Sequence, residues 1–118
     1  MTITLDLQQA SHANNNIPEQ KEFQHWLNAV LLPKHNDVEL TIRIVDIEES
    51  QALNHQYRGK NKPTNVLSFP FEVPAGIELN LLGDLVICAP IVAQEAKQQN
   101  KTIAAHWAHM VIHGCLHL

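Results

Sequence analysis

Thr2 to Gln8 alternates: Ile3, Leu5 and Leu7 fall on one side, and Thr4, Asp6 and Gln8 on the other. A period of two marks a half-buried strand. After a polar loop from Ser11 to Asn16, the period lengthens. Phe23, Trp26, Leu27, Val30 and Leu31 recur at three- and four-residue spacing, predicting an amphipathic helix from Pro18, in its first turn, to Leu32, stopped by Pro33. Val38, Leu40, Ile42 and Ile44 restore the strand pattern. Asp46 with Glu49 three residues on resembles a capping box, opening a short helix through about Tyr57.

The next segment, Arg58-Gly-Lys-Asn-Lys-Pro-Thr-Asn65, is a loop by its Gly, Pro and Asn content. A third strand is predicted over Val66 to Val73, with Leu67, Phe69, Phe71 and Val73 inward. Pro70 lacks a ladder donor and pushes that strand toward an edge or a bulge. Pro74 to Asn80 is a loop, Gly83 to Ala89 a fourth strand, and Pro90 to about Asn100 a helix. Thr102 is a fair N-cap for a last helix from Ile103 onward. The order β-α-β-α-β-β-α-α predicts one small α+β domain over residues 1–118, a mixed four-stranded sheet packed with helices.

Composition narrows the function. Hydrophobic residues make up 45% of the chain and charged residues 17%, enough for a core and against disorder. No apolar run approaches the roughly 18 residues of a membrane span. No basic segment precedes an apolar stretch at the N-terminus, so a secretory signal is not expected. Cys88 and Cys115 lie in apolar surroundings, as core-filling reduced thiols of a cytoplasmic protein would. Trp26 and Trp107 also fit core positions. The net charge of −4 rules out nucleic-acid binding by bulk charge, so a polyanion must meet a local basic patch.

Histidine is the unusual entry: of eight, four lie at 106, 109, 113 and 117. At 100° per residue they form a stripe about 80° wide on a final helix whose other faces are apolar, which predicts a central, buried helix. Imidazoles are costly there unless they bind something. His113 and His117 are an i, i+4 pair about 6 Å apart along the axis, within reach of one metal ion. Residues 109, 113 and 117 span about 12 Å and cannot all converge on it, which leaves His106 and His109 for other contacts. Gly114 stands where the HExxH metalloproteases carry their general-base Glu.

His113-Gly-Cys-Leu-His117-Leu118, Tyr57-Arg-Gly-Lys-Asn-Lys-Pro-Thr-Asn-Val-Leu-Ser-Phe-Pro70 and Leu82-Gly-Asp-Leu-Val-Ile87, taken together, resemble the YbeY family of bacterial metal-dependent endoribonucleases. The resemblance covers essentially the whole chain. It implies one zinc ion per chain and cleavage of single-stranded RNA. It further implies maturation of the 3′ end of small-subunit ribosomal RNA and a part in ribosome quality control. His113 and His117 match the first two metal ligands of the family motif H-G-x-L-H-L-x-G-Y-D-H. The third is expected beyond Leu118, in a C-terminal segment that this chain lacks, so the 118 residues alone are expected to be weakly active or inactive.

Arg58 resembles the family's catalytic arginine, and a guanidinium can hold two oxygens of a phosphodiester as its charge grows. Lys60 and Lys62 are candidates for flanking phosphates. Asn61 and Asn65 stand where acidic residues are common in the family. Thr64 and Ser68 are expected in turn contacts, and Asp84 as a turn or supporting residue rather than a ligand. Two alternatives stand beside the nuclease: a non-catalytic RNA- or ribosome-binding factor, and a minimal zincin-like hydrolase of peptides or amides.

Overall fold

The computed structural model describes residues 2–13, 16–35, 37–72, 74–76 and 80–118. The elements follow the predicted order: β1 (Ile3–Gln9), α1 (Gln20–Leu31), β2 (Val38–Val45), α2 (Ile47–Arg58), β3 (Val66–Pro70), β4 (Leu81–Cys88), α3 (Ala89–Gln98) and α4 (Ile103–Leu116). The sheet runs β1-β2-β4-β3. β1 and β4 are both parallel to β2, and β3 is antiparallel to β4. The sheet is therefore mixed, and the strand that carries Pro70 is an edge, where a missing donor costs no ladder bond.

Register puts Leu5 opposite Leu40, Ile42 opposite Leu85 and Ile44 opposite Ile87. These alternate residues form one apolar face, covered by Phe23, Leu27 and Leu31 of α1 and by Trp107, Met110 and Val111 of α4. Phe23 sits edge-on to both Trp26 and Trp107, each at 5.7 Å between ring centres. Val45, Leu67, Val86 and Cys88 form a smaller cluster of their own, with Leu53 of α2 and Phe69 packed against it.

Several boundaries differ from expectation for local reasons. Helix α1 starts at Gln20 rather than Pro18, because the Glu22 carboxylate reaches back and accepts from the Glu19 N–H at 3.0 Å. Asp46 does precede α2, but its side chain caps nothing there. It accepts from Ser11 Oγ at 2.5 Å and from the His12 N–H at 2.8 Å, while Glu49 pairs with Arg43. Strand β3 ends at Pro70, and Phe71 is 49% exposed rather than inward; Val73 lies outside the described residues.

The last helix is not buried all round. It touches α1, α3, β3 and β4, yet Ile112 and Leu116 are 37% and 65% exposed. Of the histidine stripe only His106 is buried; His109, His113 and His117 face outward. Sheet and helices cover one side of α4 only, so its high apolar content does not translate into burial.

Candidate active site

Helix α2 ends at Arg58 because Gly59 takes a left-handed conformation (φ 69°) that few other residues accept. The chain then turns through Lys60 to Asn65, and two buried polar residues of α2 hold that turn. Ser50 Oγ donates to the Thr64 carbonyl at 2.9 Å and accepts from the Thr64 N–H at 3.0 Å. Asn54 Nδ2 donates to the Lys62 carbonyl at 2.8 Å. Asn61 is tied to the same helix through Gln51, 3.0 Å away. Thr64 thus enters through its backbone, as a turn contact.

Beyond the turn, β3 runs beside the C-terminal half of α4. Ser68 Oγ donates to the Gly114 carbonyl at 2.9 Å. A Cβ at Gly114 would meet Leu85 Cδ2 at 2.9 Å and Val66 Cγ2 at 3.2 Å. Helix and sheet are too close there for a glutamate, which explains Gly114 sterically and leaves the zincin-like reading without its general base.

Between these walls lies a cleft of about 520 Å³, lined by Arg58, Asn65, Ser68, His113 and His117, among others, with Tyr57 and Phe69 at its side. Residues far apart in sequence, Arg58 and the i, i+4 histidine pair, therefore share one cavity. The His113 and His117 rings are 4.8 Å apart and steeply inclined to each other, at 69°. Both are exposed, so a ligand can reach them. Tyr57 is 60% exposed and stands edge-on to Phe69 at 5.1 Å.

The other two histidines leave this cleft. His106 donates through Nε2 to Glu95 at 2.9 Å; its Nδ1 is buried with no partner among the described residues. His109 Nδ1 lies 3.3 Å from Lys101 Nζ. Desolvation, then the charge of Lys101 and the neighbouring imidazoles, lowers the His109 pKa, favouring a neutral ring. Lys60 and Lys62 are exposed and lie outside the cleft lining. Asp84 is placed elsewhere too, in a second groove of about 560 Å³ shared with Arg43 and Thr41.

The residues present fit a metal only in part. His113 and His117 offer two nitrogen donors, whereas a catalytic zinc usually takes three protein ligands. Among the described residues no group of three His, Cys, Asp or Glu side chains could hold an ion. The pair suits a metal; the donor set among these residues does not complete one. Cys88 and Cys115 are free and buried, and burial pushes the Cys115 thiol up to about 12, away from the thiolate a metal would need.

A small α+β domain with an arginine and a histidine pair in one cleft has the parts for work on a phosphodiester. Comparison with known proteins gives the class a family. The sequence model of the endoribonuclease YbeY matches residues 5–118, and the chain belongs to that family. The fold is similar to the solution structure of TM1509 from Thermotoga maritima, with a TM-score of 0.63 and 28% identity over 96% of this chain and 71% of that one. Family membership supports an endoribonuclease role in ribosomal RNA processing. Among the described residues no helix is long and apolar enough to cross a membrane.

Sequence reasoning passed over Ser50, Asn54 and Glu95. Ser50 and Asn54 occupy the buried side of α2 without a motif, and Glu95 lies in a helix with no feature to single it out. Their partners are 8 to 30 residues away. A polar residue at an inward helix position was the one available signal for the first two.

Proposed function

We propose that this protein is a metal-dependent endoribonuclease that cuts single-stranded RNA, acting in maturation of the 3′ end of small-subunit ribosomal RNA and in ribosome quality control in the cytoplasm. The observation that carries the reading is the meeting of Arg58 with His113 and His117 in one open cleft of a chain of this family. Arg58 is the catalytic residue. Its planar guanidinium takes two non-bridging oxygens of the scissile phosphate and stabilises the charge that gathers on them. Lys60 and Lys62, on the same turn, hold flanking phosphates from outside the cleft. Tyr57 at the side of the cleft offers a flat face to an unstacked base, which a duplex does not present, and this favours single strands.

His113 and His117 would be two of the protein donors for zinc, one ion per chain. Bound between these two histidines, a divalent cation would supply Lewis-acid polarisation of a phosphoryl oxygen. Elemental analysis of the purified chain beside His113→Ala and His117→Ala tests this assignment. Zinc bound weakly by the parent, as two donors allow, and lost from both variants is expected; zinc retained in both would place the ligands elsewhere.

A second reading keeps the RNA and drops the chemistry. The incomplete donor set among the described residues favours a factor that binds RNA or the ribosomal small subunit without cutting it. Binding of a single-stranded oligonucleotide that weakens with salt, with the oligonucleotide recovered intact at every divalent-cation concentration, would establish that reading over the nuclease.

A further inference from the structure

The two walls of the cleft belong to different parts of the chain, α4 on one side and the turn with β3 on the other. Apart from the bond from Ser68 to Gly114, a second polar link joins them through α3. Glu95 Oε1 lies 2.9 Å from His106 Nε2, and the same carboxylate accepts from Asn65 Nδ2 at 3.1 and 3.3 Å. His106 sits two helical turns before His113, and Asn65 lines the cleft itself. Asn65 also lines the adjoining cavity of about 220 Å³ with Glu95, His106 and His113.

Every proton in this link has a fixed direction. Asn65 Oδ1 accepts from the Val66 N–H at 2.7 Å, so the amide must turn its NH₂ toward Glu95. An ionised carboxylate only accepts, so His106 Nε2 carries its proton toward Glu95. His106 Nδ1 has no other partner among the described residues, which leaves Glu95 as the polar anchor of that ring.

We propose that Glu95 is a positioning residue: by accepting from Asn65 and His106 together, it sets the spacing between the α4 histidines and the β3 wall, and it requires an amide at position 65. This rests on the nuclease reading of the cleft. An aspartate at 65 would keep the bond to the Val66 N–H but bring two carboxylates within hydrogen-bond distance. A glutamine at 95 would turn an NH₂ toward the NH₂ of Asn65. Made together, the two changes fit again. The new amide at 95 accepts from His106 through its oxygen and donates through its NH₂ to the new carboxylate at 65. That carboxylate still accepts from the Val66 N–H.

The experiment is a four-protein cycle: the parent chain, Asn65→Asp, Glu95→Gln and the double variant. Cleavage of a single-stranded RNA oligonucleotide is measured as kcat and KM, and the His113 and His117 imidazole resonances are recorded by NMR. Each single change is expected to lower kcat about tenfold with KM little altered, and the double to regain most of the loss. The resonances should move in both single variants and return in the double. Single variants as fast as the parent, or a double variant as slow as the slower single, would overturn the inference. If the parent itself leaves RNA intact, the nuclease reading fails for these 118 residues, and the resonances alone decide. Movement and return sustain the positioning role; unmoved resonances refute it.

Discussion

Replacing Ser50 with alanine removes the hydroxyl that holds the turn between Arg58 and β3. Ser50 is 2% exposed and makes two bonds to one residue, donating to the Thr64 carbonyl and accepting from its N–H. Both backbone groups of Thr64 lose their partner. Thr64 is half-buried, so water recovers part of each, and about 1 kcal/mol per group is a fair charge. Alanine is the better helix former by up to about 0.5 kcal/mol, which offsets a quarter of that loss. The net is about 1.5 kcal/mol, or a melting temperature lower by about 6 °C for a domain of this size. Thermal unfolding followed by circular dichroism reads it directly. Cleavage rate should fall as well, since Lys60 and Lys62 sit on the turn released and Arg58 directly precedes it. A Ser50→Ala protein that melts with the parent would mean that these two bonds do not hold the turn between α2 and β3.

Gly114→Ala sets helix propensity against packing. The gain of about 1 kcal/mol over glycine is outweighed by about 2 kcal/mol for pushing aside Leu85 and Val66. A loss of about 1 kcal/mol in a denaturant titration is expected, and a gain would show that α4 sits further from the sheet. Cys115 makes the alkaline limb steep. Burial raises its thiol from the ordinary 9.0 to about 12, so its neutral form is favoured in the fold, and that contribution is complete below pH 9 and lost between about 9 and 12. Cys115→Ala should flatten the stability profile in that window; an unchanged profile would contradict the burial. Asp46 acts at the other end. Bonds from the His12 N–H and Ser11 hold its pKa below the usual 3.8, so its contribution is present above that value and fades as pH falls through the lowered one. Asp46→Asn should weaken the acid dependence of unfolding, and a profile identical to the parent's would refute it.

Strands β1 and β2 and helix α1 were legible because each has a clean period. Ile42 and Ile44 face the core as alternation requires, and Phe23 and Leu27 as helical spacing requires. Pro70 marked an edge strand through its missing N–H, and the edge is where it lies. Caps were read unevenly: Thr102 does cap α4, accepting from the Ala105 N–H at 3.1 Å, but Asp46 does not cap α2. Asp46 offers the same carboxylate to a helix or to a neighbouring loop, and only the fold puts Ser11 within reach. Burial of α4 was overestimated, since composition records what a helix is made of and not how many sides are covered. Local spacing did bring His113 and His117 together, and the family resemblance named Arg58. Nothing local could bring Glu95 to Asn65, because that contact exists only once α3 and β3 are packed.

We propose one catalytic cleft for RNA, formed by Arg58 and the histidine pair. The most direct measurement is cleavage of a single-stranded RNA oligonucleotide by the parent chain and by Arg58→Ala, with bound metal and melting temperature determined on the same samples. Slow cleavage by the parent is expected, given its two-histidine donor set, with a further loss of at least about a hundredfold in the variant while metal and fold stay intact. Equal cleavage by the two, or loss of metal and activity together, would contradict it.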